Sequence, residues 1–121
     1  MIEEDIVSAL NADAAFNALV GGRLYPLFTP QGAPLPAVVY TRVSTTPENS
    51  ILGFSHLDQV RIQFECLAQT VLEAKNLAVI LRAALDDVPS LKATCVFVAD
   101  DVDADTRNFR VFVDYNFWQR Y

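Results

Sequence analysis

The chain has 121 residues, 52% of them hydrophobic, and a formal net charge of −6. This is enough for one domain with a single core, and residues 1–121 are read as one unit. Acid is spread along both halves with no basic cluster, which argues against nucleic-acid recognition, where phosphate neutralisation supplies most of the affinity.

The opening residues MIEED are acidic where a signal peptide is basic and then apolar. No apolar run approaches the roughly 18–20 residues that span a bilayer, so no membrane partner is expected. A protein made and held in a cytoplasm is the expectation.

Residues 2–20 have helical spacing. Ile2, Ile6, Val7 and Leu10 share a face, and Glu3, Glu4 and Asp5 sit in the first turn, where the helix dipole favours acids. Asp13 is placed to cap a second short segment carrying Phe16, Leu19 and Val20. Gly21-Gly22 stops it, since glycine takes the left-handed cap geometry at little cost. Arg23 to Pro26 reads as a short extended piece, and residues 26–36, with four prolines and Gly32, as an irregular connection. Residues 37–43, β-branched and aromatic, predict a strand that Pro36 can precede.

Residues 44–57 read as a long connection. Turn formers such as Pro47, Asn49 and Ser50 alternate there with Ile51, Leu52, Phe54 and Leu57. A loop of this length is usually functional, and its apolar residues either cover the domain's own core or are kept for another chain. The central unit follows. Val60, Ile62, Phe64 and Cys66 alternate with Arg61, Gln63 and Glu65, the period of a strand with one buried face. At Thr70 the period changes, and Thr70 with Glu73 fits a capping box. Ala74, Leu77, Ala78, Leu81, Ala84 and Leu85 then recur at helical spacing up to Asp86.

Residues 92–99 predict a third strand, apolar on both faces in its middle, and residues 100–108 an acidic turn. The last strand, residues 109–118, places Phe109, Val111, Val113, Tyr115 and Phe117 on one face. Arg110, Phe112, Asp114, Asn116 and Trp118 lie on the other, with more aromatic surface than a solvated face needs. The expected fold is α+β in the order α-β-β-α-β-β: a four-stranded, mainly antiparallel sheet with two helices on one face.

No arrangement of residues amounts to an active site. Asp101, Asp103 and Asp105 alternate as at the start of a calcium loop, but Thr106 and Phe112 stand where that loop needs glycine and a bidentate glutamate. His56 beside Ser55 and near Asp58 lacks the strand–nucleophile–helix elbow that would expose a serine. Cys66 and Cys95 form no CxxC pair, so they read as reduced buried thiols, a bridge between neighbouring strands being the alternative. Gly21-Gly22 follows a helix and has no phosphate-loop lysine. No metal, cofactor or catalytic residue is expected, and an architectural role is favoured.

Several segments together carry a family resemblance: GGRLYP after the first helix, PLPAVVYTRVS, VRIQFECLA, EAKNLAVILRAAL and the closing FRVFVDYNFW. This order resembles the small tail-completion, or tail-terminator, proteins of long-tailed, siphovirus-type bacteriophages and prophages, over nearly the whole chain. The resemblance implies a non-enzymatic virion protein, assembled in the host cytoplasm. It would form a hexameric ring that caps the tail tube, stops its polymerisation and meets a head-side connector protein. The partners implied are further copies of the chain, tube protein and connector protein, with DNA passing through without specific binding.

Such a ring closes through a head-to-tail contact between unlike patches. Ile51, Phe54, Leu57, Phe112 and Trp118 are the expected seam residues, by elimination from the expected core. Asp100, Asp101, Asp103 and Asp105 are the expected lumen acids, keeping a channel repulsive to DNA. The alternatives are a head-closure or neck component of similar fold, or a small ligand-binding or enzymatic domain using Tyr40, Arg42, Arg61 or Asp114. A monomeric adaptor that binds a peptide on its sheet edge is the remaining one.

Overall fold

Asp13 divides the first helical region in two. Its carboxylate accepts the Phe16 backbone N–H at 2.9 Å, giving helices α1 (Ile2–Ala12) and α2 (Ala14–Val20) in the computed structural model. The structure describes residues 2–28, 32, 34–50, 53–102 and 108–120. Gly21, at φ 55°, closes α2 by donating its N–H to the Asn17 carbonyl. The chain then forms β1 (Leu24–Pro26), β2 (Ala37–Ser50), β3 (Gly53–Ala68), α3 (Val71–Asp86), a 3-10 turn at Pro89–Leu91, β4 (Thr94–Val102) and β5 (Phe109–Arg120).

The sheet order is β1-β2-β3-β5-β4. All pairings are antiparallel except β1 with β2, which is parallel, with Leu24 opposite Val38. The α+β class is as expected, but a four-stranded sheet with two helices is corrected to a five-stranded mixed sheet with three. Leu24–Pro26 is too short to show a period, and only its pairing with β2 makes it a strand.

A second correction concerns the expected connection over residues 44–57: its described residues, 44–50 and 53–57, are the arms of a hairpin. The ladder runs from Ala37 opposite Leu67 out to Ser50 opposite Gly53. Turn-forming residues fit here because β1 covers β2 only from Val38 to Tyr40. Beyond that point β2 is a sheet edge, where Pro47, opposite Asp58, can be accommodated.

The core lies between the helices and one face of the sheet. Val60, Ile62, Phe64 and Cys66 of β3 and Val111, Val113, Tyr115 and Phe117 of β5 are all buried. They form one cluster with Ile6, Leu10, Phe16, Leu77, Leu81 and Leu85 of the helices. Phe64 meets Tyr115 and Phe117 edge-on at centroid distances of 6.2 and 6.5 Å, an arrangement favourable to aromatic quadrupoles. The Tyr115 hydroxyl donates to Asp86 Oδ1 at 3.0 Å. Burial, and then this bond, push the phenol well above its usual pKa. Thr70 caps α3 as expected, its hydroxyl accepting from the Glu73 N–H at 3.2 Å.

The start of α1 is tied to the sheet. Arg42 on β2 donates to both Glu3 carboxylate oxygens and to Gln119 Oε1, which also accepts the Ile2 N–H at 3.0 Å. Burial works against the charge on Glu3, yet the Arg42 guanidinium holds its carboxyl below the ordinary value.

Candidate interaction surfaces

Amphipathic design accounts for most of α3, but Val71, Leu72 and Val79 lie off its buried stripe. All three are exposed, Leu72 at 80%. Beside them runs β4, an outer strand of the sheet that pairs with β5. Its Val96, Phe97, Val98 and Val102 are exposed as well. Val96 is an inserted residue where the β4–β5 register shifts between Cys95 and Phe97, a bulge of the kind that blunts sheet edges. The middle of this strand thus exposes apolar side chains on both of its sides.

Helix and strand enclose a shallow groove. Ala74 and Ala78 are small, so together with Val111 they leave two hollows of ≈ 180 and ≈ 210 Å³. Val71 and Val102 wall the first, Val79 and Val98 the second. Lys75 Nζ and Asp100 Oδ2, 3.2 Å apart, line both hollows and bridge α3 to β4 between them.

At the opposite border a second apolar group stands out. Pro26 ends β1, and Leu27 follows with φ 69°, a left-handed conformation that costs a leucine about 1–2 kcal/mol. Two backbone bonds hold it: Leu27 N–H to the Tyr40 carbonyl at 3.0 Å and Phe28 N–H to the Pro26 carbonyl at 2.8 Å. The result is that Leu27 and Phe28 are both largely exposed, Phe28 at 72%. Val43, at the register shift in β2, is exposed too.

The sheet face away from the helices is polar with aromatic inserts. Asp114 is 4% exposed and its Oδ2 accepts from Arg61 Nη2 at 2.7 Å and Nε at 3.2 Å. Its Oδ1 has no hydrogen-bond partner among the described residues. Phe97 sits opposite Asp114 in register, and the Arg110 guanidinium lies 5.3 Å from the Phe112 ring centre.

Of the expected seam residues, Trp118 is 38% exposed, whereas Leu57 and Phe112 are half-buried. Phe54 pairs with Asn49 near the hairpin end, its side chain being outside what is described, and Ile51 lies outside the described residues. Among the expected lumen acids, Asp100 pairs with Lys75, and Asp101 with Arg110 at 2.5 Å. Asp103 and Asp105 lie outside the described residues. The residues weighed for a ligand pocket do not converge. Tyr40 packs against the core and Arg42 binds Glu3 on the helix side, while Arg61 binds Asp114 on the other face.

Cys66 and Cys95 are free. They lie on strands separated by β5, so no bridge joins neighbouring strands. Burial raises the pKa of the Cys66 thiol, which disfavours the reactive thiolate. Among the described residues no three of His, Cys, Asp and Glu group to hold a metal, and no helix is long and apolar enough to cross a membrane. Sequence reasoning missed the α3–β4 groove and the Leu27–Phe28 turn. The readable signal was an apolar residue wherever the helix stripe called for a polar one, at Val71, Leu72 and Val79.

The result is a small α+β domain with unlike apolar patches on its two borders. Comparison with known proteins gives that class a family. The profile of the family described as "Tail completion protein gp17" matches residues 4–120, and the chain belongs to this family. It is a phage tail completion protein, a structural component of the virion tail. A search of curated proteins finds no match.

Two solved structures share the fold. A chain in the virion of a native gene transfer agent particle superposes with a TM-score of 0.73 at 16% identity, covering 96% of this chain and 92% of that one. The gp17 protein of bacteriophage SPP1 gives 0.58 at 18% identity, covering 96% and 86%.

Proposed function

We propose that the protein forms a closed homo-hexameric ring that caps the tail tube, ends its polymerisation and offers a landing surface to the head-side connector. The observation that carries this reading is the apolar surface left over after folding. It is concentrated at β4 with α3 and at the turn after β1, on opposite borders of one sheet. Unlike patches on opposite borders favour head-to-tail contacts, the kind that generate rings. A stable seam of this sort buries on the order of 1,600 Å².

Capping follows from asymmetry. A ring that matches the tube end on one side and lacks a second copy of that surface on the other gives the next tube ring nothing to bind. The half-buried Leu57 and Phe112 and the exposed Trp118, together with Ile51 and Phe54, belong to the contacts with neighbours or with the tube. The role needs no catalysis and no cofactor. Net acid in each copy, Asp103 and Asp105 among it, lets DNA pass without sticking, whereas Asp100 and Asp101 are paired with Lys75 and Arg110.

The test is light-scattering mass and negative-stain microscopy of the purified protein, alone and with tube protein. Rings, and shorter tubes when the protein is added to polymerising tube protein, are expected. A monomer that leaves tube length unchanged overturns the reading. Capture by the connector with no effect on tube length would assign it to head closure.

A further inference from the structure

We propose that the α3–β4 groove of one copy receives Leu27 and Phe28 of the next copy, one side chain in each hollow. The proposal rests on the ring reading and names its seam.

Four observations carry it. Size is the first: hollows of ≈ 180 and ≈ 210 Å³ compare with the engineered cavity of about 150 Å³ that accepts benzene, so each takes a phenylalanine or leucine side chain. Number is the second. The groove has two compartments separated by the Lys75–Asp100 bridge, and the turn after β1 presents two adjacent exposed apolar side chains.

Charge is the third. Lys75 pairs with Asp100 and Arg110 with Asp101, so the first hollow is neutral. The second adds only Arg82 to its apolar walls of Ala78, Val79, Val98 and Val111, and both suit an uncharged insert. Position is the fourth. β1 and β4 are the two outermost strands, about 19 Å apart across four strand spacings. The turn therefore cannot fill its own groove, but it can fill a neighbour's. The left-handed Leu27 fits this picture, since the turn it makes carries both exposed side chains.

Such a contact is heterologous, so each copy has a plug and a socket that can be broken separately. Phe28→Asp is expected to weaken self-association at least about 30-fold, and Val79→Asp to do the same from the other side. Neither should shift the thermal midpoint of the monomer, since both positions are exposed. Mixing the two variants restores one intact seam per pair, so dimers but no rings should form.

Phe28→Cys mixed with Val79→Cys, both in a Cys95→Ser background, should cross-link between copies under mild oxidation, because a disulfide forms only where Cα atoms come within about 7 Å. Rings that persist in Phe28→Asp, with no cross-link under conditions where the parent forms rings, overturn the plug and leave the ring reading standing. A parent that stays monomeric even with tube protein, and shows no cross-link, overturns both.

Discussion

Phe64, Tyr115 and Phe117 beneath the helices and Val96, Phe97 and Val98 on β4 are chemically alike and differently placed. The first three are fully buried and meet ring to ring. The second three, on an outer strand, keep between 41% and 50% of their surface exposed. Apolar surface in the first region makes the monomer; in the second it is left exposed, which is what the proposed seam uses. A fold that had only the first would have no reason to keep the second.

Truncation is the most direct way to separate the two regions. Phe64→Ala should lower stability by about 3–5 kcal/mol, the usual cost of a large cavity under a helix layer. Urea unfolding monitored by circular dichroism reads this, and a loss below about 1 kcal/mol would mean that the cluster is not the keystone it looks like.

The tie between α1 and the sheet should give a smaller effect that varies with pH. Glu3→Gln removes a charge-assisted pair with Arg42 that is partly open to solvent, so about 1 kcal/mol is expected at pH 7. Against the opposing effect of burial, the Arg42 guanidinium holds the folded-state pKa of Glu3 below the ordinary glutamate value. Its contribution is therefore present above that value and fades as pH falls through the folded pKa. Thermal midpoints of parent and variant should differ most near neutrality and converge in acid. A gap that widened on acidification would contradict the pairing.

Phe97→Ser should change monomer stability least, within about 0.5 kcal/mol, because its side chain is half exposed already. A large destabilisation there would show that β4 is part of the core after all, and would dissolve the contrast.

The sequence made the buried region far easier to read than the exposed one. Alternation from Val60 to Cys66 and from Val111 to Phe117 identified both core strands, and the Thr70 cap marked where α3 begins. These signals are local, since a burial period is written into consecutive residues. The β1 strand was not legible as part of the sheet, because three residues hold no period and the pairing that defines it is with Val38 to Tyr40.

The outer half of the β2–β3 hairpin was misread for a related reason. Pro47, Asn49 and Ser50 are turn formers by propensity, and only the lack of a β1 neighbour beyond Tyr40 lets them pair in a ladder. Patches were harder still. The apolar middle of residues 92–99 was visible as a strand, but whether such a strand is central or outermost depends on sheet order. That order was settled by β5 inserting between β3 and β4.

The outermost strands differ in length and direction: one is three residues and parallel to its neighbour, the other nine and antiparallel. Copies stacked border to border must therefore all travel the same way round, clockwise seen from above and anticlockwise from below. Any circle they close has an axis with a head and a tail, so its upper and lower surfaces expose different residues. A washer of that kind can grip one kind of neighbour beneath and another on top, though every subunit in it is identical.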